Sequence, residues 1–155
     1  MGHIKPRTGY FLRAESFYNV ATEIENLERA DPGLLAAYGG QSLHERSHGE
    51  SFLDLVVHRF GPHGLYLLDE PEAALSVRGC LAMLTRITDL VEQGSQFVVA
   101  THSPILLAVP GARILQIEPD GTIAQVTYDE AEPVSLTRAF LTEPDRFLHH
   151  LFSDD

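Results

Sequence analysis

Two neighbouring acids, Asp69 and Glu70, close the apolar run Leu65-Tyr66-Leu67-Leu68, and His102 follows a second apolar run, Gln96-Phe97-Val98-Val99-Ala100. A carboxylate pair at a strand end suits phosphoryl transfer to water. The first acid holds Mg²⁺ through its shell, and the second orients or deprotonates the attacking water. Packing alone asks for no such pair. The plainer alternative has Asp69 and Glu70 opening a turn before Pro71 and favouring the positive end of the next helix. For His102 it is a satisfied strand-end histidine, with Ser103 capping a following turn. Ser47-His48-Gly49-Glu50 also reads two ways. As Ser-x-x-Glu before an apolar helix it is a capping box. Yet a glycine in a helix's first turn costs about 1 kcal/mol relative to alanine, and a bare helix N-terminus is a good anion site. The two readings are compatible.

These residues need elements to position them. Gly9-Tyr10-Phe11-Leu12-Arg13 has the aromatic and apolar character of a strand, and Ser16 is a candidate N-cap. The spacing of Phe17, Val20, Ala21, Ile24 and Leu27 predicts a helix from about Phe17 to Arg29, ended by Asp31-Pro32-Gly33. Tyr38-Gly39-Gly40-Gln41 reads as a loop. A second helix is predicted from His48 to about Phe60, burying Phe52, Leu53, Val56, Val57 and Phe60 and closed by Gly61-Pro62. Leu65 to Leu68 is a strand, Val77 to Glu92 a helix ending at Gly94, and Gln96 to Ala100 a second strand. Near-continuous apolar strands joined through a helix predict a parallel βαβ unit with both faces covered. Downstream, Arg113 to Ile117 and Thr122 to Tyr128 flank Pro119-Asp120-Gly121 as a hairpin. Short helices follow around Ser135 to Leu141 and Pro144 to Phe152.

The chain's 155 residues, 44% of them apolar, suit one compact unit with a buried core. A formal charge of -11 argues against an extended nucleic-acid or anionic-membrane surface, and no basic stripe offsets it. Cys80 is the lone cysteine and sits in an apolar helical pattern, which points to a core position and a reducing compartment. His44, His48, His58, His63, His149 and His150 form no metal-ligand array. No apolar run reaches the roughly 18 residues of a membrane span, and the start Met1 to Arg7 lacks the apolar stretch of a signal peptide. The expected setting is soluble and cytoplasmic.

Taken in order, Ser47-His48-Gly49-Glu50, Leu65 to Pro71, Ala74-Leu75-Ser76 and Thr101-His102-Ser103 resemble the signature, Walker B, D-loop and switch-histidine series of ABC-type ATPases. They look most like the stand-alone bacterial ATPases of the AAA family with ABC-like domains. The resemblance extends from about Gly9 to the C-terminus. It implies an α/β, P-loop NTPase-like fold, a parallel sheet with flanking helices. It also implies ATP and Mg²⁺ as ligands and a site shared across a dimer. On that resemblance Asp69 supports Mg²⁺, Glu70 polarises the attacking water, and His102 contacts the γ-phosphate. Ser47 and Gly49 touch the γ-phosphate of a nucleotide held mainly by a second subunit, with Ser76 lying across the same interface.

The sequence also departs from the family pattern. A signature motif usually reads Leu-Ser-Gly-Gly-Gln, of which only Ser47 and Gly49 match, and Arg13-Ala14-Glu15-Ser16 stands where a Q-loop glutamine belongs. No G-x-x-x-x-G-K-[ST] occurs, and the one lysine is Lys5. The family carries that phosphate-gripping loop upstream of the segment matching Gly9 to Arg13. The chain is therefore expected to be a single partial domain over 1–155, truncated at its N-terminus. It would be completed by a homodimer partner or a complementing P-loop-bearing segment, and be weak or inactive alone. Without the missing strand, apolar surface and unpaired backbone should be exposed, favouring aggregation. The competing expectation is a non-catalytic regulatory or interaction domain derived from such an ATPase. A nuclease-linked repair ATPase is a third, which the charge of the chain does not support.

Overall fold

The computed structural model describes residues 6–14 and 48–153. The helix expected over Phe17 to Arg29, the loop at Tyr38 to Gln41, and Glu15, Ser16 and Ser47 lie outside the described residues. The chain divides into two compact units, residues 1–101 and 102–155.

The first unit is α/β. Strands β1 (Thr8–Arg13), β2 (Gly64–Asp69) and β3 (Gln96–Ala100) form a parallel sheet in the order β1-β2-β3. Helix α1 (His48–Arg59) precedes β2, and α2 (Val77–Glu92) joins β2 to β3. The register aligns Leu12 with Leu68 and Val99, and Phe11 with Leu67 and Val98. Side chains alternate across a pleated sheet, so these two rows belong to opposite faces. Leu12, Tyr66 and Leu68 are buried, together with Phe52, Leu55, Val56 and Phe60 of α1 and its end and Cys80, Met83, Ile87 and Leu90 of α2. On the other face Phe11 is 66%, Leu67 37% and Val98 54% exposed. Both faces were expected to be covered; among the described residues no element covers this apolar row. Apolar strands are compatible with burial on both sides, but what covers a face is settled by tertiary connections and not by strand composition.

One local difference lies in α1. Leu55 is buried where Val57 was expected; Val57 is 43% exposed. The helix thus turns a slightly different stripe to the sheet, centred on Phe52, Leu55 and Val56. Helix α2 ends as anticipated at Gly94, whose φ of +87° favours glycine, and a Cβ there would stand 2.7 Å from His63 Nδ1.

Tyr66 anchors the start of the sheet. Its ring is fully buried and stacks on Phe60 with centroids 4.1 Å apart, while Phe97 lies 5.0 Å away. Such aromatic contacts add to the area they bury. The Tyr66 hydroxyl accepts from Gly61 N at 2.7 Å and donates to Gly61 O at 3.0 Å. Ser95 Oγ donates to the same carbonyl at 2.7 Å and accepts from Gly64 N at 3.0 Å. The polar groups of the α1–β2 turn are satisfied by two side chains from the strands' entry ends, as burial requires.

The second unit holds the antiparallel pair β4 (Ile114–Ile117) and β5 (Ile123–Val126), then helices α3 (Glu132–Thr142) and α4 (Pro144–Phe152). The hairpin turn closes through Glu118 N to Thr122 O at 2.8 Å and Gly121 N to Glu118 O at 2.8 Å. Thr122 donates to Asp120 from both its backbone N and its hydroxyl, which holds the Asp120 carboxyl below its usual range. Phe140 and Phe147 meet edge to face at 5.7 Å between α3 and α4. No helix among the described residues is long and apolar enough to cross a membrane.

Tyr66→Phe should cost roughly 1–2 kcal/mol in urea unfolding, because Gly61 N loses its acceptor while the ring stacking is kept; an unchanged midpoint contradicts the anchoring role. Val98→Lys places a charge on this exposed apolar row; the parent chain should self-associate in sedimentation velocity and the variant should do so less. Equal association of the two chains would show that the row is not what drives it.

Candidate functional site

The candidate chemistry gathers where β2 and β3 end. Asp69 closes β2 in register with Arg13 of β1 and Ala100 of β3. Arg13 Nε donates to Asp69 Oδ2 at 2.8 Å, a partly exposed ion pair between the last residues of adjacent strands. Exposed pairs of this kind stabilise little, about 0–1 kcal/mol, so the bond fixes the direction of the carboxylate more than it holds the fold.

Immediately beyond, Glu70 has φ 48° and ψ 52°, the left-handed region. A long charged residue seldom adopts it, since its Cβ crowds the backbone. The following Pro71 favours extended backbone at this position, which adds a second local preference against the observed turn. Such conformations cost about 1–3 kcal/mol and persist where surrounding structure fixes them. Here Glu70 N donates to Ala100 O at 2.8 Å, carrying the β2–β3 ladder one residue past β2. Pro71 is fully buried and opens a 3₁₀ turn, Pro71–Ala74, in which Ala73 N donates to Glu70 O at 3.0 Å. Thr101, next after β3, donates its hydroxyl to the Glu72 carboxylate, with oxygens at 2.7 and 2.5 Å. The turn is thus held by a backbone bond on one side of Pro71 and a side-chain bond on the other.

The remaining sequence candidates fall as follows. Ser76 is the N-cap of α2, its hydroxyl accepting from Gly79 N at 3.1 Å. Gly49 lies in the first turn of α1, while Ser47 is outside the described residues. His102 stands two residues past β3 and is exposed. Ser103, just after it, is buried and its Oγ accepts from Ile105 N and Leu106 N at 3.3 Å, the capping role that its position suggested. The structure therefore brings Asp69 and Glu70 to the exit of the central strand, and engages Ser76 in a cap. Sequence reasoning did not single out Glu72 or the Arg13–Asp69 pair. Glu72 lies two residues past a motif acid and carried no spacing signal of its own, and the Arg13 contact depends on strand register.

The donor set at the β2 exit consists of carboxylate oxygens, which suit a hard cation such as Mg²⁺. Among the described residues no group of three or more His, Cys, Asp and Glu gathers into a metal cage. Mg²⁺ is ordinarily held by one or two carboxylates together with substrate phosphates, and one carboxylate at Asp69 fits that arrangement.

No protein-family model matches the chain, and no curated protein matches it. Among solved structures it is similar to the SMC head domain from Thermotoga maritima. The identity is 17% over 75% of this chain and 52% of that one, with a TM-score of 0.46. The chain spans about half the length of that domain.

Ser76→Ala removes the cap hydroxyl and should lower stability by about 1 kcal/mol in thermal or urea unfolding. No loss would mean that the Ser76 hydroxyl does not hold the start of α2.

Proposed function

We propose that this chain is the hydrolysis half of a soluble, cytoplasmic ABC-type ATPase, a partial domain completed by a P-loop-bearing segment or by a second copy in a dimer. The observation that carries the reading is the acid pair at the exit of the central parallel strand, with Glu70 held in a strained turn directly after Asp69. Ligands of open α/β sheets bind outside the carboxyl ends of the strands, and backbone strain concentrates where a side chain must be aimed. The order of Ser47-x-Gly49, Asp69-Glu70, Ser76 and His102 along the sequence supports the same reading.

In this account ATP is the substrate, gripped at its phosphates by the complementing segment. Asp69 would hold Mg²⁺, which when bound neutralises charge on the phosphate oxygens. Arg13 keeps one Asp69 oxygen directed along the strand ends. Glu70 accepts a hydrogen bond from the attacking water and orients it, or takes its proton as general base. His102 donates to the γ-phosphate and helps to place that water. By the resemblance, Ser47 and Gly49 would contact the γ-phosphate bound by the other subunit. Ser76, through its place at the start of α2, belongs to the same dimer surface.

A second reading, a non-catalytic regulatory or interaction domain derived from such an ATPase, draws on one observation. The Asp69 carboxylate already has a cationic partner in Arg13, so neutralising it does not require a metal ion. The two readings part at Glu70. Glu70→Gln keeps the size and removes the charge. In the complemented ATPase it should lower kcat by a factor of about 10²–10⁴, the range for loss of a positioned acid–base group. ATP turnover within twofold of the parent would reject the catalytic role and leave the regulatory one.

A further inference from the structure

Glu70 is aimed by a conformation that its own chemistry opposes, so something else in the fold must impose it. Two contacts reach the turn from the end of β3. The backbone bond from Glu70 N to Ala100 O fixes the amide on one side of Pro71. The Thr101 hydroxyl, bonded to the Glu72 carboxylate, fixes the other side. Both contacts come from consecutive residues of one strand end, and they bracket the buried Pro71 between them. With Pro71 seated and Glu72 tethered, the chain cannot swing Glu70 into the extended region without breaking one contact or the other.

We infer that Glu72 and Thr101 form a clamp that holds Glu70 in the left-handed conformation, making Glu72 a positioning residue for the Glu70 carboxylate. The clamp is a claim about conformation. Its service to catalysis rests on the reading of Glu70 as the residue that orients water. Nothing in the local sequence Asp69-Glu70-Pro71-Glu72 would select a left-handed Glu70 by itself; glycine or asparagine is the usual occupant of that region. Thr101 also sits directly before His102.

The clamp is tested by a double-mutant cycle that reads folding rather than ATP turnover, so its failure is distinct from failure of the ATPase reading. Glu70→Gly in the parent chain removes the Cβ crowding, and should raise the folding equilibrium constant about fivefold by urea unfolding. In a Glu72→Ala background the turn is released, Glu70 relaxes, and the same Glu70→Gly change should bring no gain or a loss. Thr101→Val, which removes the donor at almost constant shape, should behave as Glu72→Ala does and serves if that variant fails to fold. Thr101→Ser keeps the hydroxyl and should restore the gain. An equal gain from Glu70→Gly in all four backgrounds would overturn the clamp, because the conformation would then be imposed by Pro71 and the backbone alone. No gain in the parent chain would overturn it as well, since there would be no strain to hold.

Discussion

The hydrogen bond from Glu70 N to Ala100 O governs the acidic end of the sheet. It extends the β2–β3 ladder beyond the last paired residue of β2 and so commits Glu70 to the sheet while Pro71 forces the chain away from it. The 3₁₀ turn, the tether of Glu72 to Thr101 and the start of α2 at its Ser76 cap all follow within a few residues. At the opposite end of the strands, Tyr66 and Ser95 satisfy the polar groups of the turn entering β2. The central strand is therefore pinned at both ends, and its exit is rigid enough to carry a strained residue.

Charge at that exit is arranged by register rather than by burial. Arg13 and Asp69 are partners because β1 and β2 are parallel and aligned residue for residue, which brings their last side chains together on one face. The same alignment places Phe11, Leu67 and Val98 in an apolar row on that face, one pleat back from the acids. An apolar surface leading up to a charged strand end is a setting in which a covering element would lower the local dielectric and strengthen every interaction of the acids. The proposed completion of the domain would act on the site in this way.

Much of the fold was legible because the relevant elements announce themselves locally. Helix α2 from Val77 to Glu92 and strand β3 from Gln96 to Ala100 have the bounds read from their periodicity, with Gly94 between them at a positive φ. The hairpin around Pro119-Asp120-Gly121 and the last helix, Pro144–Phe152, were also plain, since turn residues and proline starts act within a few positions. The acids at the end of β2 were visible as types, but their geometry was not. A glutamate gives no sign that it will adopt the left-handed region, the Arg13 contact needs the strand register, and the Glu72–Thr101 bond joins residues 29 positions apart. The exposed row was not legible for a similar reason: Leu65-Tyr66-Leu67-Leu68 is apolar on both sides, and composition does not say which side the described helices cover.

The central claim is that this chain contributes hydrolysis and another segment contributes the phosphate grip. The most direct measurement is ADP release from Mg²⁺·ATP by the chain alone, by a separately supplied polypeptide carrying a P-loop strand and helix alone, and by the two together. The account predicts turnover only in the mixture, well above the sum of the separate rates. Turnover by the chain alone at the rate of the mixture, or no turnover in any combination, would contradict it.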